Sequence, residues 1–154
     1  METVLVEKKN INEVVELLKQ DEVVAFPTET VFGLGVKFGN LSALEKIYEI
    51  KHRSHSKAVS LMIYDSQDIE KYAYVNTNAQ KLIDEFMPGM ITLVLKKKSI
   101  LSDDFTAGYD TIGIRIPDDP FVLKLLKEVG PMLVTSANIS GQETLLNDQE
   151  VYKQ

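Results

Sequence analysis

The stretch Val23-Val24-Ala25-Phe26-Pro27-Thr28-Glu29-Thr30-Val31-Phe32-Gly33-Leu34-Gly35 decides how this chain is read. Val23 to Phe26 has the apolar character of a buried strand. Pro27 has no N–H and a fixed φ, so it ends ladder pairing and biases the residue before it toward extended geometry. Thr28, Glu29 and Thr30 then place two hydroxyls and a carboxylate at the carboxyl end of that strand, where open α/β sheets bind ligands. Gly33 and Gly35 allow positive φ or close backbone approach. The same residues also fit a Thr-rich strand end followed by two turn glycines, and this segment alone leaves both readings open.

Outward from it, strands and helices alternate. Val4 to Val6 reads as a short strand. A helix follows from Asn10 as cap through Gln20, with Glu13 three residues on and Ile11, Val14, Val15, Leu17 and Leu18 as its apolar side. Asn40 or Ser42 opens a helix that buries Leu41, Leu44, Ile47 and Tyr48 and ends near Lys51 to Arg53. Val59 to Ile63 is a strand; Asp65 to Tyr72 and Thr77 to Phe86 are helical, the latter capped by Asn76 and stopped by Pro88-Gly89. Ile91 to Lys97 and Thr111 to Ile116 are strands, Asp119-Pro120 starts a helix to about Val129, and Met132 to Thr135 is a final strand. Such alternation implies one domain, an α/β fold with a mixed sheet covered by helices.

Composition narrows the function classes. A chain of 154 residues, 44% hydrophobic and 26% charged, suits a single domain with a real core. No apolar run approaches the roughly 18 residues of a membrane span, and Met1-Glu2-Thr3 has no basic leader character, so a cytoplasmic protein without membrane contact is expected. Zero cysteines exclude disulfides, thiolate nucleophiles and thiolate zinc sites, leaving oxygen ligands for any metal. A net charge of -6 argues against broad backbone-driven nucleic-acid binding while leaving room for a local basic patch.

Three further clusters carry chemistry-bearing residues. Lys51-His52-Arg53-Ser54-His55-Ser56-Lys57 suits polyanion binding, and equally suits a solvated helix end whose cations meet the C-terminal dipole. Thr135-Ser136-Ala137-Asn138-Ile139-Ser140-Gly141 has the makings of an anion-binding nest or of an ordinary Ser/Asn/Gly turn. In Gly113-Ile114-Arg115-Ile116-Pro117 a lone arginine sits inside an apolar strand, where it needs a partner, a ligand carboxylate or phosphate, or an edge position. Gly33 to Gly39 has the wrong spacing for a dinucleotide fingerprint, and no Walker A sequence exists. His52 and His55 lack a carboxylate orienter nearby in sequence and are expected to be exposed.

Taken in order, Pro27 to Gly35, Lys51-His52-Arg53, Pro88-Gly89-Met90-Ile91-Thr92, Ile114-Arg115-Ile116-Pro117 and Ser136-Ala137-Asn138-Ile139-Ser140-Gly141 resemble the YrdC-like family of threonylcarbamoyl-AMP synthases. The resemblance runs from about Val4 to Gly141 and implies a single-domain, twisted mixed sheet flanked by helices with a concave basic cavity. It further implies nucleotidyl transfer that joins L-threonine, bicarbonate or CO2, and ATP into threonylcarbamoyl-AMP and pyrophosphate, for tRNA adenosine modification by downstream threonylcarbamoyl-transferase proteins. By that resemblance Thr30 touches threonine and Arg115 pairs with its carboxylate. Lys51, Arg53 and Lys57 face ATP phosphates, Thr92 lies in the nucleotide part, and Ser136, Asn138 and Ser140 bind nucleotide and phosphate. Lys51, Arg53, Ser136 and Asn138 are the residues expected to be catalytic. Magnesium arrives with ATP, no protein metal site is implied, and no organic cofactor is needed.

The chain departs from the family at Met62, where a His is common, at Met90, where a Pro is usual, and at Lys57-Ala58-Val59-Ser60, which lacks a Pro-Leu. Family members continue past the position of Gln154 with a Gly-rich segment and a Ser-Thr strand, so the domain is expected to be short at its C-terminus. The alternative is a non-catalytic module for double-stranded RNA, tRNA or nucleotide, with Lys51, Arg53, Lys57, Lys96, Lys97 and Lys98 as its basic surface. A carbamoyl-transfer domain of the hydrogenase-maturation kind is a third reading, without the partner domains such proteins carry.

Overall fold

A computed structural model of the chain describes residues 2–145 and 147–154. Its elements in order are α1 (Ile11–Lys19), β1 (Val24–Pro27), β2 (Phe32–Lys37), α2 (Leu41–Lys51), β3 (Ser60–Met62), α3 (Ile69–Tyr72), α4 (Thr77–Phe86), β4 (Leu93–Lys96), β5 (Thr111–Arg115), α5 (Pro120–Val129), β6 (Met132–Ser136) and α6 (Asp148–Lys153). The six strands form one sheet in the order β1-β2-β6-β3-β5-β4. Only β3 and β5 run parallel, so the sheet is mixed, as the alternation of elements implies.

Strand alternation divides the core between the two faces of the sheet. Leu34, Val36, Leu61, Ile112, Ile114 and Leu133 point to one face and bury against Ala43, Leu44, Ile47 and Tyr48 of α2. Phe26, Met62, Met132 and Val134 point to the other, against Val14, Val15 and Leu18 of α1 and Val122, Leu125 and Leu126 of α5. The second face is covered only in part. The registers Gly33↔Ser136, Gly113↔Ser60, Ser60↔Val134 and Met62↔Arg115 put Ser136, Ser60, Gly113 and Arg115 on it, all half-buried apart from Gly33.

Local signals place the helices well. Asn76 Oδ1 accepts from the Ala79 N–H, Asp119 Oδ1 accepts from the Val122 N–H with Pro120 next to it, and Asn40, not Ser42, caps α2 by accepting from the Ser42 N–H. Four expectations need correction. Val4 to Val6 is not a strand; these residues have no ladder partner, and Val4 and Leu5 are exposed. Asn10 belongs to a 3-10 turn over Lys8–Asn10 and makes no side-chain cap. Leu41 sits at the first turn of α2 and is exposed, not buried.

The fourth correction concerns the deciding stretch. Phe32–Lys37 is a strand paired with β1 through Phe26↔Gly33 and Val24↔Gly35, and its glycines are not turn residues. They serve close approach: a Cβ on Gly35 would lie 2.9 Å from the Phe26 ring and 3.0 Å from the Met132 methyl. The C-terminal α6, unforeseen in the sequence, brings Val151 against the α2-side core. Among the described residues no helix is long and apolar enough to cross a membrane.

Candidate functional site

The sequence blocks singled out above are joined by direct contacts. Residues 28–31 connect β1 to β2, and Thr28 Oγ1 organises that turn by bonding the Val31 carbonyl at 2.6 Å and accepting from the Thr30 N–H at 3.2 Å. From the end of β5, Arg115 Nη1 donates to Thr30 Oγ1 at 3.3 Å and Nη2 donates to Glu29 Oε1. This partner answers the demand of a charge inside an apolar strand. The two side chains are largely buried, 15% and 18% exposed. Among the described residues, Glu29 Oε2 and Arg115 Nε are nonetheless buried without a hydrogen-bond partner.

Ser136 ends β6, and Ala137-Asn138 follow it at the end where β1 also terminates. The Ala137 N–H donates to the Phe32 carbonyl at 2.8 Å, and the Ser140 N–H donates to the Lys51 carbonyl at 2.9 Å, so this loop is tied both to the hairpin and to the last turn of α2. Asn138 Nδ2 donates to the carbonyls of Ile139 and Gln142 at 2.9 and 3.0 Å, which fixes the amide's orientation and leaves Oδ1 buried and unpaired. Gln154 Oε1 accepts from the Ile139 N–H at 2.8 Å, so α6 anchors the loop from outside.

Lys51 is 1% exposed. Its ammonium donates to Thr135 Oγ1 at 3.2 Å, to the Ser136 carbonyl, and to Ser136 Oγ at 3.4 Å. Burial, followed by repulsion from Arg53 and Lys57, lowers its pKa to about 8. Lys51 therefore lies beneath the serine loop as a buried cation; its closest side-chain acceptor, Thr135, opens the Thr135–Gly141 cluster singled out in the sequence but is given no role of its own there. Arg53 braces the basic loop by donating from Nη2 to the Ala58 carbonyl at 2.8 Å and from Nε to the Lys57 carbonyl at 3.3 Å. Lys57 itself is exposed. Its carbonyl also accepts from the Tyr48 hydroxyl at 2.8 Å.

The Pro88-Gly89 block reaches the same region. The Gly89 N–H donates to the Ile116 carbonyl at 2.9 Å, and the Thr92 methyl lies over Gly113, 3.1 Å from where a Cβ would stand. Met62 packs in the core beside Met132, while Met90 is 73% exposed. Both histidines are exposed, yet His55 has the carboxylate partner that its sequence neighbourhood lacks: Nε2 meets Glu45 Oε2 at 2.7 Å across α2. Of the lysine run, Lys97 is tied to Asp103 Oδ1 at 2.6 Å and Thr106 Oγ1 at 2.8 Å, and Lys98 donates to the Glu70 carbonyl and lies 5.2 Å over the Tyr74 ring.

This arrangement offers a fork of donors at Arg115, a hydroxyl-bearing turn, and a serine and asparagine loop beside a buried cation. Such a set suits a ligand with a carboxylate and a polyphosphate. The chain is 43% identical over 129 residues to a threonylcarbamoyl-AMP synthase of Bacillus subtilis, covering 82% of this chain and 37% of that protein. It is 38% identical over 149 residues to a threonylcarbamoyl-AMP synthase of Vibrio vulnificus, covering 94% of this chain and 80% of that one. The crystal structure of P. abyssi Sua5 complexed with L-threonine superposes with a TM-score of 0.91 at 31% identity, covering 98% of this chain and 45% of that one. The model of the Sua5/YciO/YrdC family, described as "Telomere recombination", matches residues 16–154, and the chain belongs to that family.

Proposed function

We propose that the chain is a threonylcarbamoyl-AMP synthase that joins L-threonine, bicarbonate or CO2, and ATP into threonylcarbamoyl-AMP and pyrophosphate. The observation that carries this reading is that the turn over residues 28–31, which engages Arg115 through Glu29 and Thr30, is tied through Phe32, Ala137 and Ser140 to the loop that Lys51 supports. On it, Arg115 and Thr30 hold the amino acid, while Arg53, Lys57, Ser136, Asn138, Ser140 and Thr92 hold ATP. Lys51 supports them from below with a positive charge.

The threonine nitrogen attacks CO2, losing a proton and becoming a carbamate. A carbamate oxygen then attacks the α-phosphorus of ATP, and pyrophosphate leaves with the electron pair of the broken P–O bond. Neither step needs a protein nucleophile, so the protein acts by positioning and by offsetting charge on the phosphates. Magnesium comes as part of the ATP complex, because Mg²⁺ relies on substrate phosphates and waters more than on protein cages. The product goes to the transferase proteins that modify tRNA.

Purified chain incubated with ATP, L-threonine and bicarbonate is expected to yield threonylcarbamoyl-AMP and threonine-dependent pyrophosphate. Arg53→Ala or Lys51→Ala is expected to lower pyrophosphate release by at least about a hundredfold, as loss of a phosphate clamp does elsewhere. Unchanged turnover in both variants would remove the basic loop from the mechanism. The RNA-binding alternative is less well supported, because Lys51, Lys97 and Lys98 spend their ammonium groups on acceptors of the protein itself.

A further inference from the structure

Both terminal nitrogens of the Arg115 fork are engaged by the turn over residues 28–31: Nη1 donates to Thr30 Oγ1 and Nη2 to Glu29 Oε1. Arg115 Nε is buried and out of a ligand's reach, so a carboxylate that takes the Nη1/Nη2 edge in a bidentate grip displaces Glu29. The displaced group sits at 18% exposure, and its second oxygen, Oε2, is already buried without a partner. Separating a largely buried ion pair leaves an uncompensated charge, which is strongly unfavourable. A ligand carrying a cation next to its carboxylate avoids that penalty by exchange: its carboxylate takes Arg115 and its ammonium takes Glu29.

We propose that Glu29 is a specificity-determining residue, whose carboxylate exchanges Arg115 for the ligand's ammonium and so makes the site select a zwitterionic α-amino acid over a carboxylic acid that lacks the amine. The inference rests on the threonine reading above and adds the group that recognises the amine. Glu29 acts in recognition only; once the ammonium has lost its proton for reaction with CO2, a remaining N–H still donates to the carboxylate. A bare hydroxyl in place of the amine can hydrogen-bond to Glu29 but brings no charge to replace the guanidinium. A Glu29 that merely braced the turn would affect folding without changing which ligand is preferred.

Calorimetric titration of the full chain with L-threonine, and with the dihydroxy acid in which a hydroxyl replaces threonine's amine, tests this. The wild type is expected to favour threonine by at least about tenfold. In Glu29→Gln that preference is expected to shrink by about tenfold, chiefly because the dihydroxy acid binds more tightly once no carboxylate is left unpaired. A Glu29→Gln protein that keeps the wild-type preference overturns the inference and leaves the threonine reading standing. So does a wild type that binds both ligands equally, a result that needs no variant and holds even where Glu29→Gln does not fold. A wild type that binds neither ligand overturns the threonine reading and the inference together.

Discussion

Lys51 shows how a single residue joins stability to the site. Its pKa lies at about 8 rather than 10.5, chiefly because burial disfavours the ammonium. The folded state thus resists a proton that the unfolded chain holds readily. Below pH 8 the side chain is protonated in both states and the full cost is present, about 3 kcal/mol. Between pH 8 and 10.5 the folded protein has shed the proton while the unfolded chain still binds it, so stability rises with pH across that window. Urea midpoints of the wild type relative to Lys51→Met are expected to climb from pH 8 to 10, and a flat difference would show that Lys51 is not held as an unfavourable ammonium. Taking the difference removes the opposing effect of Tyr48 and Tyr72, whose pKa values burial raises in the folded state. The acceptors that make burial tolerable, Thr135 Oγ1 and the Ser136 groups, lie 84 and 85 positions away, which is why the sequence shows a basic helix end and not a buried cation.

Elements were legible wherever their boundary chemistry was local. In α4 and α5 the cap side chain sits three residues before the amide it accepts from, a relation written into Asn76-Thr77-Asn78-Ala79 and Asp119-Pro120-Phe121-Val122. Asn76→Ala is therefore expected to cost about 1 kcal/mol in urea unfolding without touching ligand affinity. Strand β2 was not legible for the opposite reason. Phe32-Gly33-Leu34-Gly35-Val36-Lys37 is poor in strand formers on one of its faces, and it is a strand because β1 and β6 flank it and the Phe26 ring fills the space its glycines leave. Gly35→Ala puts a methyl 2.9 Å from that ring and 3.0 Å from Met132, in a well-packed core. The expected loss is about 1–3 kcal/mol, measured by urea unfolding, and a neutral outcome would mean that Phe26 and Met132 repack freely. Val4 to Val6 fails in the converse way: apolar residues without a neighbouring strand edge gain nothing from extended pairing.

At the scale of the whole molecule, the proposed function makes ligand binding and folding share the same contacts. The turn over residues 28–31 hangs from β1 and β2 at one side of the sheet, whereas Arg115 ends β5, next to the opposite edge strand. Their ion pair closes the face between them; the family resemblance put Thr30 and Arg115 on one ligand, but the pairing with Glu29 was not visible in the sequence, since Glu29 and Arg115 stand 86 positions apart. A ligand that binds only when both are in place must add its binding energy to folding. At a hundred times its dissociation constant, L-threonine is expected to stabilise the wild type by about 2.7 kcal/mol, read as a higher urea midpoint at unchanged slope. Arg115→Met removes the fork and leaves Glu29 without its cation. It is expected to lower stability by about 2 kcal/mol, less than the roughly 3–5 kcal/mol typical of fully buried pairs, because both side chains keep some solvent contact. In that variant the increment from threonine should vanish. Persistence of the full increment in Arg115→Met would place the amino acid elsewhere on the sheet and would separate the stability of the Arg115–Glu29 pair from ligand recognition.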